Sequence, residues 1–304
     1  MMIEVETGLY IGAACDIGDV ERLNQLGITR VLTVDSQAAH LPEFIRTKFV
    51  QAFDDSSTDL LSRFDECHQF IEAGKGASSS VLVHCHAGQS RSAAIVTAYL
   101  MKTHKLSLEE AQCTLLRIKP DVRINQDFLD QLALYESMGC ELDATTSLYK
   151  QFRLQKVTER YPELQTVPKE VFAADPGQMQ TSETVYRCRK CRRVLFRGSS
   201  ILSHCVGSGP VSFSHKKCER DSQVSTAGGR AQCTSLFIEP VQWMEEALLG
   251  VMDGQLLCPK CNSKLGSFNW YGEQCSCGKW VTPAFQMHKS RVDEIKPVSI
   301  SALR

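Results

Sequence analysis

A cysteine and an arginine stand six positions apart in VHCHAGQSRSAA, residues 83–94, with a glycine and small polar residues between them. An apolar run, SSVLV, leads in and an alanine-rich helical pattern, RSAAIVTAYLM, leads out, so the pair straddles a strand-to-helix turn. Such a loop points its backbone N–H groups inward, and the helix N-terminus adds partial positive charge; together they make a site for a phosphate-like dianion. Arg91 can hold two of the anion's oxygens with its planar fork, and the same field stabilises Cys85 as a thiolate. A thiolate on the floor of an anion cradle is suited to displacement at phosphorus through a cysteinyl-phosphate intermediate. Gly88 permits the tight turn, and Ser92 can donate a hydrogen bond to the sulfur when it becomes the leaving group. The competing reading is a buried structural cysteine before a helix that happens to begin Arg-Ser. The length of the match, from apolar strand through Ser-Arg-Ser to helix, argues against it.

The elements that must position these residues form an alternation of strands and helices. GLYIG (8–12), RVLTV (30–34) and SVLVHC (80–85) read as buried strands. VERLNQLG (20–27) and LLSRFDECHQFIEAG (60–74) carry helical spacing, and three more helices are expected near 92–104, 108–118 and 126–138. Ser107 with Glu110 three positions on is a capping-box pattern for the second of these. The alternation predicts an α/β domain, a central sheet flanked by helices, with ligands at the carboxyl ends of the strands. Cys85 falls at such an end.

The stretch HCHAGQSRS resembles the signature of the cysteine-dependent protein phosphatases, in the version of their dual-specificity group. GLYIG, RVLTV, FDDSSTDLLSRFDECHQFI and RINQDFLDQLALYE are similar to that family too, across about residues 3–140. The resemblance implies the fold of those enzymes and a shallow pocket taking phosphoserine and phosphothreonine as well as phosphotyrosine on protein substrates. It also implies that the loop residues His86, Ala87, Gly88, Gln89, Ser90 and Arg91 bind the phosphoryl group, with no catalytic metal. Such chemistry needs a general acid for the departing oxygen, and a carboxyl on a loop is the usual supplier. Asp54, Asp55 and Asp59 are the candidates, Asp59 reading as a helix cap; the family's spacing, counted back from Leu60, selects Asp54 over Asp55. His84 reads as a hydrogen-bonded neighbour of the loop, His86 as surface-facing, and Asn125 as the cap of the last helix with no catalytic role. The loop holds no lysine and no arginine beyond Arg91, which argues against a phosphoinositide or RNA 5′-phosphate substrate.

The rest of the chain is different in kind. Of 14 cysteines, nine lie in residues 181–304. Residues 1–180 carry 17 Lys+Arg against 25 Asp+Glu, and residues 181–304 carry 17 against 10, so the overall −1 conceals two halves of opposite sign. No secretory leader is evident and no apolar run approaches the roughly 18 residues of a membrane helix. A reduced compartment, nucleus and cytoplasm, is the expectation, and disulfides are an unsuitable use for these thiols. CPKC and CSCG supply Cys258, Cys261, Cys275 and Cys277, four ligands at a spacing suited to tetrahedral Zn²⁺. A second set starts from Cys188 and Cys191 in CRKC and needs two more from His204, Cys205, His215, Cys218 and Cys233. ILSH, QCTSLFIEPVQWM and CPKCNSKLGSFNWYGEQCSCGKW resemble the zinc-binding extension of one branch of the same phosphatase family. That resemblance favours His204 and Cys233, implies two structural zinc ions, leaves Cys205 and Cys218 as free thiols, and keeps His288 as a substitute ligand.

The expected organisation is a catalytic domain over 1–142, a helical segment and linker over 143–184, stopped near Pro162, and a zinc-binding domain over 185–304. The second domain carries six basic residues between Arg187 and Arg197, and Phe268, Trp270, Tyr271 and Trp280 around its later cysteines. Two readings stay open: a surface for RNA or an acidic protein, or a small aromatic core under a solvated charged face. The family resemblance associates this extension with assembly of the large ribosomal subunit, which makes a pre-ribosomal particle a candidate partner and an assembly factor the alternative function.

Overall fold

A computed structural model describes residues 2–76, 79–160, 167–178, 183–207 and 233–297. The chain divides into two compact units, Met1–Asp143 and Ala144–Arg304.

The first unit is built on five strands: β1 (Ile3–Glu6), β2 (Leu9–Ala13), β3 (Ile28–Asp35), β4 (Arg46–Gln51) and β5 (Ser80–Cys85). Their order is β1-β2-β5-β3-β4, with β1 antiparallel to β2 and the rest parallel. β5 is therefore interior, and Val81, Leu82 and Val83 are fully buried because helices cover both faces of a parallel sheet. The helices are α1 (Val20–Gln25), α2 (Phe64–Glu72), α3 (Arg91–His104), α4 (Leu108–Ile118) and α5 (Gln126–Ser137). Every residue of α3 from Arg91 to Met101 is buried; its small residues Ala93, Ala94 and Ala98 let the helix sit close to the sheet and to its neighbours. Ser107 and Glu110 form the expected capping box on α4, and the Asn125 side chain accepts the Phe128 N–H at the start of α5. Two strands escaped the sequence reading. β1 alternates charged and apolar residues over only four positions, and β4 (RTKFVQ), an edge, exposes four of its six residues, so neither forms an apolar run.

The second unit opens with α6 (Ser147–Arg160) and continues in short antiparallel sheets. β6 (Val185–Cys188) and β7 (Val194–Arg197) join β14 (Val292–Ile295) in the order β14-β6-β7. β8 (Ser235–Phe237), β9 (Asp253–Leu257), β10 (Lys264–Asn269) and β13 (Ala284–His288) follow the order β8-β13-β10-β9. β11 (Glu273–Gln274) and β12 (Trp280–Val281) make a separate ribbon, and α7 (Glu245–Leu248) is a single turn. Phe196, Phe237, Trp270 and Phe285 centre the core, and Leu154 and Val157 of α6 join it. Val167 and Phe172 join it too, and Ala173 hydrogen-bonds on both sides with Pro240 and Gln242. The described parts of the stretch read as helix and linker thus contribute to the second unit's core, through Leu154, Val157, Val167 and Phe172. Pro162 lies outside the described residues. The aromatic group divides between its two readings, since Phe268 and Trp270 are core while Tyr271 and Trp280 are exposed. No helix among the described residues is long and apolar enough to cross a membrane.

Candidate active site and metal centres

Cys85 ends β5 between Ala13 of β2 and the carboxyl end of β3, almost wholly buried. Loop 86–90 then turns into α3. The Ala14 N–H donates to the His86 carbonyl at 3.1 Å, tying the loop to β2. Gly88 adopts φ +70°, and a Cβ there would lie 2.6 Å from the Gly12 carbonyl oxygen, so only glycine fits the turn and the close approach together. That conformation aims the Gly88 N–H at Cys85 Sγ (3.2 Å), while Ser92 Oγ stands 3.1 Å from the same sulfur. Two hydrogen-bonding groups thus converge on one thiol at a helix N-terminus.

Arg91 is 9% exposed, and its Nη1 is held by Asp35 Oδ1 at 2.7 Å and by the Ala52 carbonyl at 3.1 Å. Its Nε is buried with no protein partner. A guanidinium braced from one side, with an unmatched N–H on another edge, suits a bidentate oxyanion. Asp35 was missed in the sequence; the legible signal was a carboxylate directly after the apolar run RVLTV, at the strand end where ligands gather.

The three candidate acids separate cleanly. Asp54 Oδ1 accepts from Ser90 Oγ at 2.7 Å and from Asn125 Nδ2 at 2.5 Å, so it is fastened to the loop that carries Arg91. Asp55 turns back to Ser57, accepting from its N–H (2.9 Å) and Oγ (2.6 Å). Asp59 caps the turn at Leu61–Arg63 through the Ser62 N–H and hydroxyl. Asn125, expected only to cap α5, also reaches the acid. His84 is buried with Nε2 2.8 Å from Thr33 Oγ1, and burial holds it below the ordinary histidine range, hence neutral at pH 7. His86 and Ala87 are exposed and Gln89 is half-buried at the mouth.

In the second unit the eight predicted ligands do gather into two quartets, but not in the predicted partition. Cys188 and Cys191 join Cys258 and Cys261; His204 and Cys233 join Cys275 and Cys277. The physical reason is a repeated turn. After β6, the Arg192 N–H bonds the Cys188 carbonyl with φ +64° at Arg192; after β9, the Asn262 N–H bonds the Cys258 carbonyl with φ +51° at Asn262. Each CxxC caps a hairpin, β6–β7 or β9–β10, and the two knuckles face one another. Cys188 Sγ is 3.8 Å from Cys261 Sγ, and Cys191 Sγ is 3.5 Å from Cys258 Sγ. Thiolates at about 2.3 Å from a tetrahedral Zn²⁺ are separated by about 3.8 Å, so the spacing fits. Cys233 Sγ and His204 Nε2, 3.5 Å apart, fit as well. The ligand atoms of each quartet all lie within 4.8 Å of one another, and each set has four donors, leaving no open position of the catalytic kind. Ser263 Oγ sits 3.1 Å from Cys261 Sγ and 3.6 Å from Cys188 Sγ. That hydroxyl helps hold Cys261 below the ordinary thiol value. Cys205 is exposed and outside both groups, and His288 Nδ1 lies 3.3 Å from Ser235 Oγ rather than among the ligands. His215 and Cys218 lie outside the described residues.

A parallel-sheet domain with a buried thiol, a braced arginine and a tethered carboxylate around one strand-to-helix loop is the architecture of a cysteine-dependent phosphatase, and this chain belongs to the dual specificity protein phosphatases. Residues 9–138 match the family "Dual specificity phosphatase, catalytic domain". The chain is 57% identical over 303 residues to "Dual specificity protein phosphatase 12" of Homo sapiens, covering 97% of this chain and 89% of that one. It is 32% identical over 341 residues to "Tyrosine-protein phosphatase YVH1" of Saccharomyces cerevisiae, covering 97% and 92%. Among solved structures, human DUSP28 is 33% identical, with 45% of this chain and 93% of that chain covered at a TM-score of 0.43.

Proposed function

We propose that the first unit hydrolyses phosphotyrosyl, phosphoseryl and phosphothreonyl side chains of proteins. The observation that carries this reading is the convergence on one loop of Cys85, the unmatched Nε of Arg91 and the tethered Asp54. Backbone N–H groups of residues 86–90 and the Arg91 guanidinium hold the phosphoryl oxygens. The Cys85 thiolate forms a bond to phosphorus as the phosphorus–oxygen bond to the leaving group breaks, and Asp54 gives its proton to that oxygen. Water, deprotonated by the Asp54 carboxylate, then attacks the cysteinyl phosphate, and Ser92 donates to the departing sulfur, returning thiolate and inorganic phosphate.

The two quartets of the second unit hold structural zinc in this reading. Zinc supplies a rigid cross-link between hairpins and so contributes to folding outright. A bound Zn²⁺ would offset the repulsion among the thiolates, and the Ser263 hydroxyl lies against two of them, Cys261 and Cys188.

A second reading assigns the cellular role to the second unit, as a module for a pre-ribosomal particle or RNA. Exposed Tyr271 and Trp280, at 67% and 59%, favour a contact surface there. The basic run argues for less: Arg189 and Arg192 both pair with Asp293, and Arg193 pairs with Asp175, so much of its charge is already neutralised. Hydrolysis of a small aryl phosphate by the whole chain, with Cys85→Ser as control, separates the two. Turnover lost in the variant supports the phosphatase reading; no turnover from folded, zinc-loaded protein turns attention to the second unit.

A further inference from the structure

The acid-bearing loop is held by its own turns and, at its end and tip, by other elements. Gln131, a buried residue of α5, accepts the Leu60 and Leu61 N–H groups through Oε1 (2.9 Å each) and donates from Nε2 to the Thr58 carbonyl (2.9 Å). The Phe53 N–H donates to Thr58 Oγ1 at 2.9 Å, closing the loop across its own base. At its tip, Asp54 Oδ1 receives two donors: Ser90 Oγ from the phosphate-binding loop and Asn125 Nδ2 from the first position before α5. The same hydroxyl of Ser90 accepts the Asn125 N–H at 3.2 Å, and the Arg123 N–H donates to the Gln89 carbonyl at 2.9 Å. Acid loop, cradle and the start of α5 thus meet in one hydrogen-bonded knot, with Ser90 and Asn125 as its shared members.

Two donors on one carboxylate oxygen have a chemical consequence. An oxygen that already accepts twice is a poor site for a proton, so the acidic form of Asp54 carries its proton on Oδ2. From the geometry of this knot we propose that Ser90 and Asn125 are positioning residues for the general acid, fixing both the place and the protonated oxygen of Asp54, and that they thereby set the balance between alkyl and aryl phosphoester substrates. The proposal rests on the reading of Asp54 as the acid. Its logic is that of leaving groups. A serine or threonine alkoxide is far more basic than a tyrosine phenolate, whose conjugate acid lies near 10. Departure of the alkoxide therefore leans hardest on a proton delivered at the right distance and angle, and a mis-set acid is felt there first.

Asn125 is also the cap of α5, so its two roles must be separated. Serine caps a helix about as well as asparagine but lacks the amide N–H. Asn125→Ser therefore keeps the bond from the Phe128 N–H and removes the donor to Asp54; Ser90→Ala removes the other donor without touching the cap. The experiment measures kcat/KM for a series of aryl phosphates of graded leaving-group acidity, and for phosphoseryl and phosphotyrosyl peptides of one sequence. Wild type, Asn125→Ser, Ser90→Ala, Asp54→Ala and the double variant Asn125→Ser/Asp54→Ala are compared, each checked for unchanged melting temperature. The expected result is a steeper leaving-group dependence in Asn125→Ser and Ser90→Ala. Phosphoserine turnover should fall on the order of tenfold more than phosphotyrosine turnover, and Asn125→Ser should add nothing once Asp54 is alanine. Equal losses on every substrate, or a further loss in the Asp54→Ala background, would overturn the positioning role. A leaving-group dependence that Asp54→Ala itself leaves flat would remove Asp54 as the acid, and the inference with it.

Discussion

Cysteine makes the reactive centre of one half of this molecule and the frame of two candidate metal sites in the other, and the two halves build their sites on opposite plans. The cradle is local: Cys85, Gly88, Arg91 and Ser92 lie within eight consecutive residues, and the backbone of one turn brings their groups together. The quartets are assembled from afar, one spanning residues 188 to 261 and the other 204 to 277. A local site survives as long as its strand and helix do. A distributed site exists only when the whole unit has folded, and a metal bound there would in turn cross-link that unit.

That contrast can be broken most forcefully on the metal side. Loss of one zinc should remove on the order of 10 kcal/mol of folding free energy from the second unit. Which ion is lost is informative. Cys188→Ser/Cys258→Ser strikes a single quartet and should leave one zinc per chain, whereas Cys258→Ser/Cys275→Ser strikes both and should leave none. Metal content of the purified variants checks this, and the reverse pattern would restore the sequential pairing of CPKC with CSC. In neither variant should hydrolysis of a small aryl phosphate fall in step with zinc.

On the catalytic side, Cys85→Ser should lower turnover on the order of 10⁵-fold or more while leaving zinc content at two, measured on the same preparation. Asp54→Ala should lower kcat by roughly 10²–10⁴-fold. Asp55→Ala should change it little, because that carboxylate serves only its own turn with Ser57. A large loss at Asp55 instead would mean that the loop rearranges in the working enzyme.

The smallest effect concerns what holds the first unit together in place of metal. Asp65 accepts from Lys102 Nζ (2.7 Å), Tyr135 OH (2.7 Å) and the Leu142 N–H (3.0 Å), joining α2 to α3 and α5. Burial alone would raise its carboxyl, but those hydrogen bonds outweigh it and hold it below the ordinary value. A carboxyl depressed on folding contributes stability above its unfolded value, about 3.9, and loses it as pH falls through the lower folded value. Asp65→Asn should therefore cost about 1–2 kcal/mol at pH 7, with the gap to wild type closing below about pH 4. A gap that stays constant through acid, measured by urea unfolding of the first unit's signal, would contradict the charge-based account.

Much of the catalytic half was readable before any coordinate. The apolar runs of β2, β3 and β5 announced themselves because strands buried on both faces need unbroken hydrophobicity, and Ser107–Glu110 and Asn125 announced helix starts because the unpaired N–H groups there demand side-chain acceptors. β1 and β4 were hidden because short or edge strands carry no such run. Asp35 and Gln131 were hidden for another reason: each works on a partner many positions away, on Arg91 and on the Leu60–Leu61 backbone.

By itself, then, the sequence determined the chemistry of the cradle, since an anion-binding turn and its thiolate are consequences of backbone and side chains within one loop. It also marked Cys188, Cys191, Cys258, Cys261, Cys275 and Cys277 as candidate metal ligands by their close pairing, while His204 and Cys233 rested on the family resemblance. Tertiary structure alone decided who shares an ion with whom. The spacing within CRKC, CPKC and CSC is the same whichever pairs meet, and only the facing of the β6–β7 and β9–β10 hairpins brings Cys188 within 3.8 Å of Cys261. It decided, too, that Asp54 and not its neighbour meets the cradle, because adjacent side chains on a loop point apart and Ser90 and Asn125 stand on one side only.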